Sequence, residues 1–283
     1  MNDLSPGAIR HSFDRAARHY DESAVLQRAV ADELLNRFQW LRIKPATLLD
    51  VGTGTGYALP HLRRRFRNAR VMACDIAWAM ARAARSRRVL WRPSPVWVAD
   101  AHDLPLRAQT IDCIYSSLAL QWMDAPRAFA EFRRVLRGEG LLTFATFGPD
   151  TLRELRAAWA QVDDRPHVHN FVDMHDLGDA LINAGFADPV LDIERYTLTY
   201  ESAGAALRDL KHIGAHNAAA ARFPGLTGKG RYRRFEQAYE KFRQGGRLPV
   251  TYEVVYGQAW VLAGVPPPSL SSTDRLVIPI RSA

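Results

Sequence analysis

Leu48-Leu49-Asp50-Val51-Gly52-Thr53-Gly54-Thr55-Gly56-Tyr57-Ala58-Leu59 reads as a buried strand that ends at an acid, breaks into alternating glycines and opens a helix. Glycine lets the backbone turn sharply and approach a ligand closely, and in an open α/β sheet the ligand sits at the carboxyl ends of the strands. The turn alone does not distinguish a dinucleotide fold from other nucleoside sites. It is not a phosphate loop of the Walker kind, because no Gly-Lys-Ser/Thr follows.

Outward from this turn, strands and helices alternate. The pattern predicts strands at 47–51, 70–74, 95–99, 111–116 and 140–147, with helices at 56–66, 77–86 and 125–136, which argues a parallel sheet wrapped by helices. The second strand ends in Asp75, twenty-five residues after Asp50, where an acid can accept from both hydroxyls of a ribose. The third ends in Val98-Ala99-Asp100-Ala101, where the carboxylate can take an adenine amino group and the Ala101 N–H a ring nitrogen. The fourth ends in Ser116-Ser117-Leu118, at the edge where a reacting group would lie.

The flanks carry other patterns. Apolar residues from Phe13 to Phe38 recur at three- and four-residue spacing, predicting a helical cap over 8–39. Beyond Gly148, helices are predicted near 150–160, 174–184, 203–219 and 230–244. Strands at 189–200 and 249–261 complete the sheet, with 203–244 inserted between them as a helical lid. The organisation expected is one domain over 1–265, made of the cap (1–42), a core (43–148) and a C-terminal part (149–265), followed by a Pro- and Ser-rich flexible tail at 266–283.

An apolar content of 47% over 283 residues supports a sizeable core without staples. Cys74 and Cys113 each lie in an apolar run and read as small buried hydrophobes. With no signal pattern and no apolar run of about 18 residues, a soluble, cytoplasmic protein is expected. The net charge is +8, and only four of the 38 basic residues are lysine; such a surface attracts an acidic partner. His167 and His169 have metal-like spacing but no acidic or cysteine partner fixed by sequence, so no metal is expected and a loop over an acceptor pocket is preferred.

The run from Leu48 to Gly56, Asp75, Asp100 and Arg134-Val135-Leu136-Arg137-Gly138-Glu139-Gly140 resemble the motif series of class I S-adenosylmethionine-dependent methyltransferases. Further segments resemble the malonyl-[acyl-carrier protein] O-methyltransferase family of biotin synthesis: Ser12-Phe13-Asp14-Arg15-Ala16-Ala17-Arg18-His19-Tyr20-Asp21, Leu118-Ala119-Leu120-Gln121-Trp122, Thr146-Phe147-Gly148-Pro149-Asp150 and Leu207-Arg208-Asp209-Leu210-Lys211.

The resemblance implies a Rossmann-like fold with a mostly parallel seven-stranded sheet. It implies S-adenosyl-L-methionine, left as S-adenosyl-L-homocysteine, held by Asp50, Gly52, Thr53, Gly54 and Gly56 on the turn, by Asp75 and Ile76, by Asp100 and Ala101, and by Tyr20, Ser116 and Leu118. It further implies methyl transfer to the free carboxylate of a malonyl thioester on acyl carrier protein or CoA. A carboxylate is already deprotonated near pH 7, so no general base is required. Tyr20, Gln121, Trp122, His169, Arg208 and Lys211 are the candidates to position the acceptor, the last two as its carboxylate clamp. Arg222, Lys229, Arg231, Arg233 and Arg234 form the expected docking face for the carrier.

Other small-acid carboxyl methyltransferases compete with this reading, as do methyltransferase-fold arginine hydroxylases, which share the Phe-x-x-Ala-Ala-x-x-Tyr-Asp entry. A nucleic-acid methyltransferase fits less well, since Ser116-Ser117-Leu118-Ala119 stands where an Asn-Pro-Pro-Tyr segment belongs. A non-catalytic binding protein is the remaining alternative.

Overall fold

A computed structural model of the chain describes residues 5–87, 94–165, 167–168, 170–212 and 228–264. Five parallel strands form its centre: β1 (Thr47–Val51), β2 (Arg70–Asp75), β3 (Val96–Val98), β4 (Ile111–Ser117) and β5 (Leu136–Phe147). The later runs become β6 (Ala187–Tyr200) and β7 (Leu248–Trp260), and β7 lies antiparallel between β5 and β6. The spatial order is β3-β2-β1-β4-β5-β7-β6. The chain moves outward from β1 through β3, then restarts at β4 on the other side of β1. That reversal opens a crevice at the carboxyl ends of β1 and β4, where ligands bind in this class of sheet.

Successive residues of a strand face opposite sides, and here both sides are buried. Leu48, Val71, Cys113 and Tyr115 face one apolar layer, while Leu49, Met72, Cys74 and Ile114 face the other. The two free cysteines therefore lie on opposite faces of the sheet. Helices cover both layers: α4 (Leu59–Arg65), α5 (Trp78–Ser86), α6 (Ala125–Val135), α7 (Arg153–Ala160), α8 (Met174–Asn183), α9 (Ala203–His212) and α10 (Lys229–Glu240). Phe129 and Phe132 of α6 and Phe235 and Tyr239 of α10 are buried anchors.

The single helix expected over 8–39 is instead three segments, which we call αA (Pro6–Ala16), αB (Tyr20–Ser23) and αC (Val25–Arg37). Ser5 caps the first with Pro6 at its first turn. His19 (φ −117°, ψ 3°) and Ala24 (φ −80°, ψ 44°) leave helical geometry and supply the breaks. The three pieces can then do different work: αA packs on α5, αB meets α9, and αC buries Val30 and Leu34 against the sheet. The helix expected from 56 starts at Leu59, because the glycine turn runs further than its pattern suggests. β5 starts at Leu136, four residues early. In the lid, α9 is described to His212; residues 213–219 of the helix expected there lie outside the described residues.

Among the described residues, no helix is long and apolar enough to cross a membrane.

Candidate active site

The crevice holds a cleft of about 1150 Å³ of empty space, its open mouth included. Its floor is the glycine turn. Gly52, Gly54 and Gly56 have φ of 72°, 55° and 82°, a region that disfavours side chains. The Gly52 and Thr53 N–H groups donate to the Cys74 carbonyl at 2.9 and 3.0 Å, and the Gly54 N–H donates to Asp75 Oδ2 at 2.8 Å. A methyl group at Gly52 would overlap that of Ala119, and one at Gly56 would come within 2.9 Å of Ala84. Gly52 thus permits the end of β4 to close on the turn, whereas Gly56 permits α5 to pack and does not line the cleft.

Carboxylates stand at the successive strand ends. Asp50 is 2% exposed and accepts from the Thr53 hydroxyl at 2.6 Å; burial pushes it up to about 7. Asp75 is pushed up to about 6 by burial, opposed by its hydrogen bonds from the Ala77 and Gly54 N–H groups. Asp100 accepts from the N–H and Nδ1 of His102 at 2.9 and 2.7 Å, and His102 Nε2 accepts from the Asp124 N–H at 3.0 Å. These bonds set the neutral imidazole with its proton on Nδ1. His102 went unnoticed in the sequence, where nothing marks a histidine two residues past an acid.

The cap forms the roof. Phe13 meets Trp122 edge-to-face at 5.4 Å, and both line the cleft with Ile9, Tyr20 and Met80. Tyr20 is half-buried; burial and the Asp75 and Asp21 carboxylates hold its phenol protonated, well above the usual range. Asp21 accepts from Thr55 Oγ1 at 2.6 Å and pairs with Arg87, whose Nε donates to the Thr55 carbonyl at 2.7 Å. Sequence reasoning passed over this tie because its members are 32 to 66 residues apart.

Of the residues expected at the site, Tyr20, Asp50, Gly52, Thr53, Gly54, Asp75, Ile76, Asp100, Ala101, Leu118 and Trp122 line the cleft. Ser116 stands behind it, fully buried, its hydroxyl given to the Val51 carbonyl. Gln121 also stands behind it: its Nε2 donates to the Leu118 carbonyl at 2.7 Å, and its Oε1 accepts from Thr146. Arg208 and Lys211 do not reach the wall. α9 buries Ala203, Ala206 and Leu210, which turns both cations to solvent. His169 and Arg222 lie outside the described residues. His167 stacks on Trp159 with centroids 3.8 Å apart and bonds Asp163 at 2.9 Å. No group of three potential ligands occurs among the described residues.

Residues 49–144 match the methyltransferase domain model. A malonyl-[acyl-carrier protein] O-methyltransferase of Laribacter hongkongensis is 52% identical over 91% of this chain and 90% of its own length. A protein of the same name from Gallionella capsiferriformans is 50% identical over 89% and 90%. This chain belongs to the malonyl-[acyl-carrier protein] O-methyltransferase family. At the level of fold alone, a putative methyltransferase of Bacillus halodurans superposes with a TM-score of 0.59 at 16% identity, covering 82% of this chain and all of that one.

The family's methyl donor can be tested against the cleft. A glycine floor that a side chain would fill, an acid at each of three adjacent strand ends and an apolar roof suit a nucleoside with a cationic tail. The residues present fit that group.

Proposed function

We propose that this chain transfers the methyl group of S-adenosylmethionine to the free carboxylate of a malonyl group carried as a thioester by acyl carrier protein, giving the methyl ester. The observation that carries the reading is the line of Asp50, Asp75 and Asp100 along one cleft, in a chain that relatives of that name match over 91% and 89% of its length. Asp75 would hold the ribose, Asp100 with Ala101 the adenine, and Gly52 to Gly54 the methionine end. Bound there, the donor supplies a methyl group on a positively charged sulfur.

The protein's own contribution is alignment and exclusion of water. The acceptor needs no base, so rate comes from holding its oxygen in line with the methyl carbon in a dry site. Phe13, Trp122 and Met80 make the roof apolar. Tyr20, protonated throughout the working pH range, can donate to the acceptor oxygen that does not react. Arg208 and Lys211 face solvent away from the cleft wall, so the reading gives them no part at the reacting carboxylate.

The carrier docks on the exposed lid cations Lys229, Arg233 and Arg234; Arg231 is committed to Asp163. Incubation of the chain with labelled donor and, in parallel, malonyl-carrier protein, malonyl-CoA, free dicarboxylic acids and tRNA tests the reading. Base-labile label on the malonyl thioester supports it; label only on another acceptor sinks it.

A further inference from the structure

The cations outside the lid are not spread evenly. From Phe38 to Arg70 the sequence carries seven lysines and arginines against one acid, and that acid is Asp50, buried near the other end of β1. The fold gathers the basic part of this stretch at the amino ends of β1 and β2. The Arg70 N–H donates to the Ala46 carbonyl at 2.7 Å, Arg65 donates to the Phe38 carbonyl at 2.6 Å, and Phe38 meets Phe66 edge-to-face at 5.1 Å. Those ties draw the segments before β1 and β2 into one face, on which Arg42, Lys44, Arg64, Arg65, Arg67 and Arg70 are all exposed. Carboxylates on the adjoining elements are already engaged: Asp112 pairs with Arg137, Glu33 with Arg37, and Asp32 takes the Tyr57 hydroxyl.

Trp40 belongs to the same face. It is 79% exposed, the most open of the large apolar side chains among the described residues. Leu41 and Ile43 pack inward on the core, so Trp40, Arg42 and Lys44 turn outward together. A nucleic-acid base stacked on an indole covers one face of the ring, whereas a ring this open has both faces and its edge to cover. An indole standing clear among cations matches the headgroup layer of a bilayer, where its apolar body and its polar N–H each find a medium and the cations meet anionic lipid.

The position of the face agrees with that partner. The cleft opens at the carboxyl ends of β1 and β4. The lid leaves β6 at Tyr200 and enters β7 at Leu248, beside the end where β5 finishes. The basic face therefore lies at the opposite end of the sheet from cleft and lid, and a surface bound there leaves both open.

We propose that the face around Trp40 docks the chain on an anionic phospholipid bilayer: Trp40 enters the headgroup layer, and Arg42, Lys44, Arg64, Arg67 and Arg70 pair with lipid phosphates.

Cosedimentation with vesicles tests it, using phosphatidylcholine alone and an equal mixture of phosphatidylcholine and phosphatidylglycerol. The wild-type chain is expected to bind the mixed vesicles and not the neutral ones, and to be released as salt rises. Trp40→Ala should bind about tenfold more weakly, and Trp40→Phe should recover part of that loss. Arg64→Glu combined with Arg67→Glu should bind at least about thirtyfold more weakly. Arg233→Glu with Arg234→Glu, at the other end of the sheet, should stay within twofold of wild type. All variants should keep the wild-type Tm. Binding to neither vesicle, equal binding to both, or binding that the Trp40 and Arg64/Arg67 variants leave unchanged would overturn the proposal. Loss of Tm in step with vesicle binding in both sets of variants would show a structural role and overturn it too. A single-stranded oligonucleotide that binds more tightly than the mixed vesicles and is lost in the same variants would reassign the face to nucleic acid, with the same result.

Discussion

Thr55 gives its hydroxyl to Asp21 at 2.6 Å, and that bond joins the N-terminal cap to the glycine turn. Arg87 braces both partners from the end of α5. The cap is therefore clipped to the floor of the cleft it covers. Tyr20, next to Asp21, is held over the cleft by that clip, whereas Phe13 is held by the packing of its helix on α5, where Asp14 accepts from the Ala79 N–H at 2.8 Å.

Asp21→Ala removes the clip without touching the core. A hydrogen bond to a charged group contributes about 1.5–3 kcal/mol when sheltered, and Asp21, at 54% side-chain exposure, falls at or below the low end. Donor affinity is expected to fall five- to tenfold, mostly through faster release. Stopped-flow release of S-adenosylhomocysteine checks this, and an unchanged off-rate would show that the cap stays down without the bond.

Gly52→Ala and Gly54→Ala separate steric from conformational demand. Both have positive φ, but only at Gly52 does a methyl group meet another atom, that of Ala119. Gly54→Ala is expected to cost about 1 kcal/mol and to leave binding measurable. Gly52→Ala should cost several times more and abolish transfer. Thermal unfolding with a binding titration distinguishes them.

The buried acids make ligand-free stability depend on pH. Folded Asp50 and Asp75 are raised to about 7 and about 6 from 3.8. The folded state therefore holds their protons more tightly than the unfolded state. Their contribution to stability is fully present below about pH 4 and is lost as pH rises through 6 and 7. A cation bound beside them favours the ionised forms. The rise in Tm produced by S-adenosylmethionine should thus grow between pH 5.5 and 8; calorimetry in both states measures it.

His102→Ala takes away the group that holds Asp100 and leaves the Asp124 N–H unpaired. A hydrogen bond to a carboxylate is worth about 1.5–3 kcal/mol when sheltered and, with Asp100 at 41% side-chain exposure, falls at or below the low end, so the donor should bind several-fold more weakly. His102→Asn, which can still bond Asp100, should recover part of the loss in the same titration.

Charge reversal at Lys229, Arg233 and Arg234 should raise KM for malonyl-carrier protein several-fold at low salt. Little effect is expected on kcat or on malonyl-CoA. The difference should shrink as ionic strength rises and screening shortens the reach of the field. Arg231 is left intact, because its pair with Asp163 is structural.

The strand-turn-helix at 48–59 and the acids at 75 and 100 were legible because each depends on near neighbours in the chain. A buried strand needs an apolar run, a close approach needs glycine, and the end of each strand is marked where the pattern stops. The strand runs that form β6 and β7 were legible for the same reason, but not the antiparallel place of β7 between β5 and β6.

Tertiary structure alone decided which way the outlying polar residues turn. Gln121 and Ser116 sit where the motif puts them, yet their side chains satisfy backbone carbonyls behind the wall. Arg208 and Lys211 are exposed, because burying Ala206 and Leu210 fixes the rotation of α9. The break of the cap at His19 and Ala24 and the clip from Asp21 to Thr55 depend on residues distant in sequence. Local sequence determined the glycine turn; the packing of the cap decided which side chains line the cleft above it.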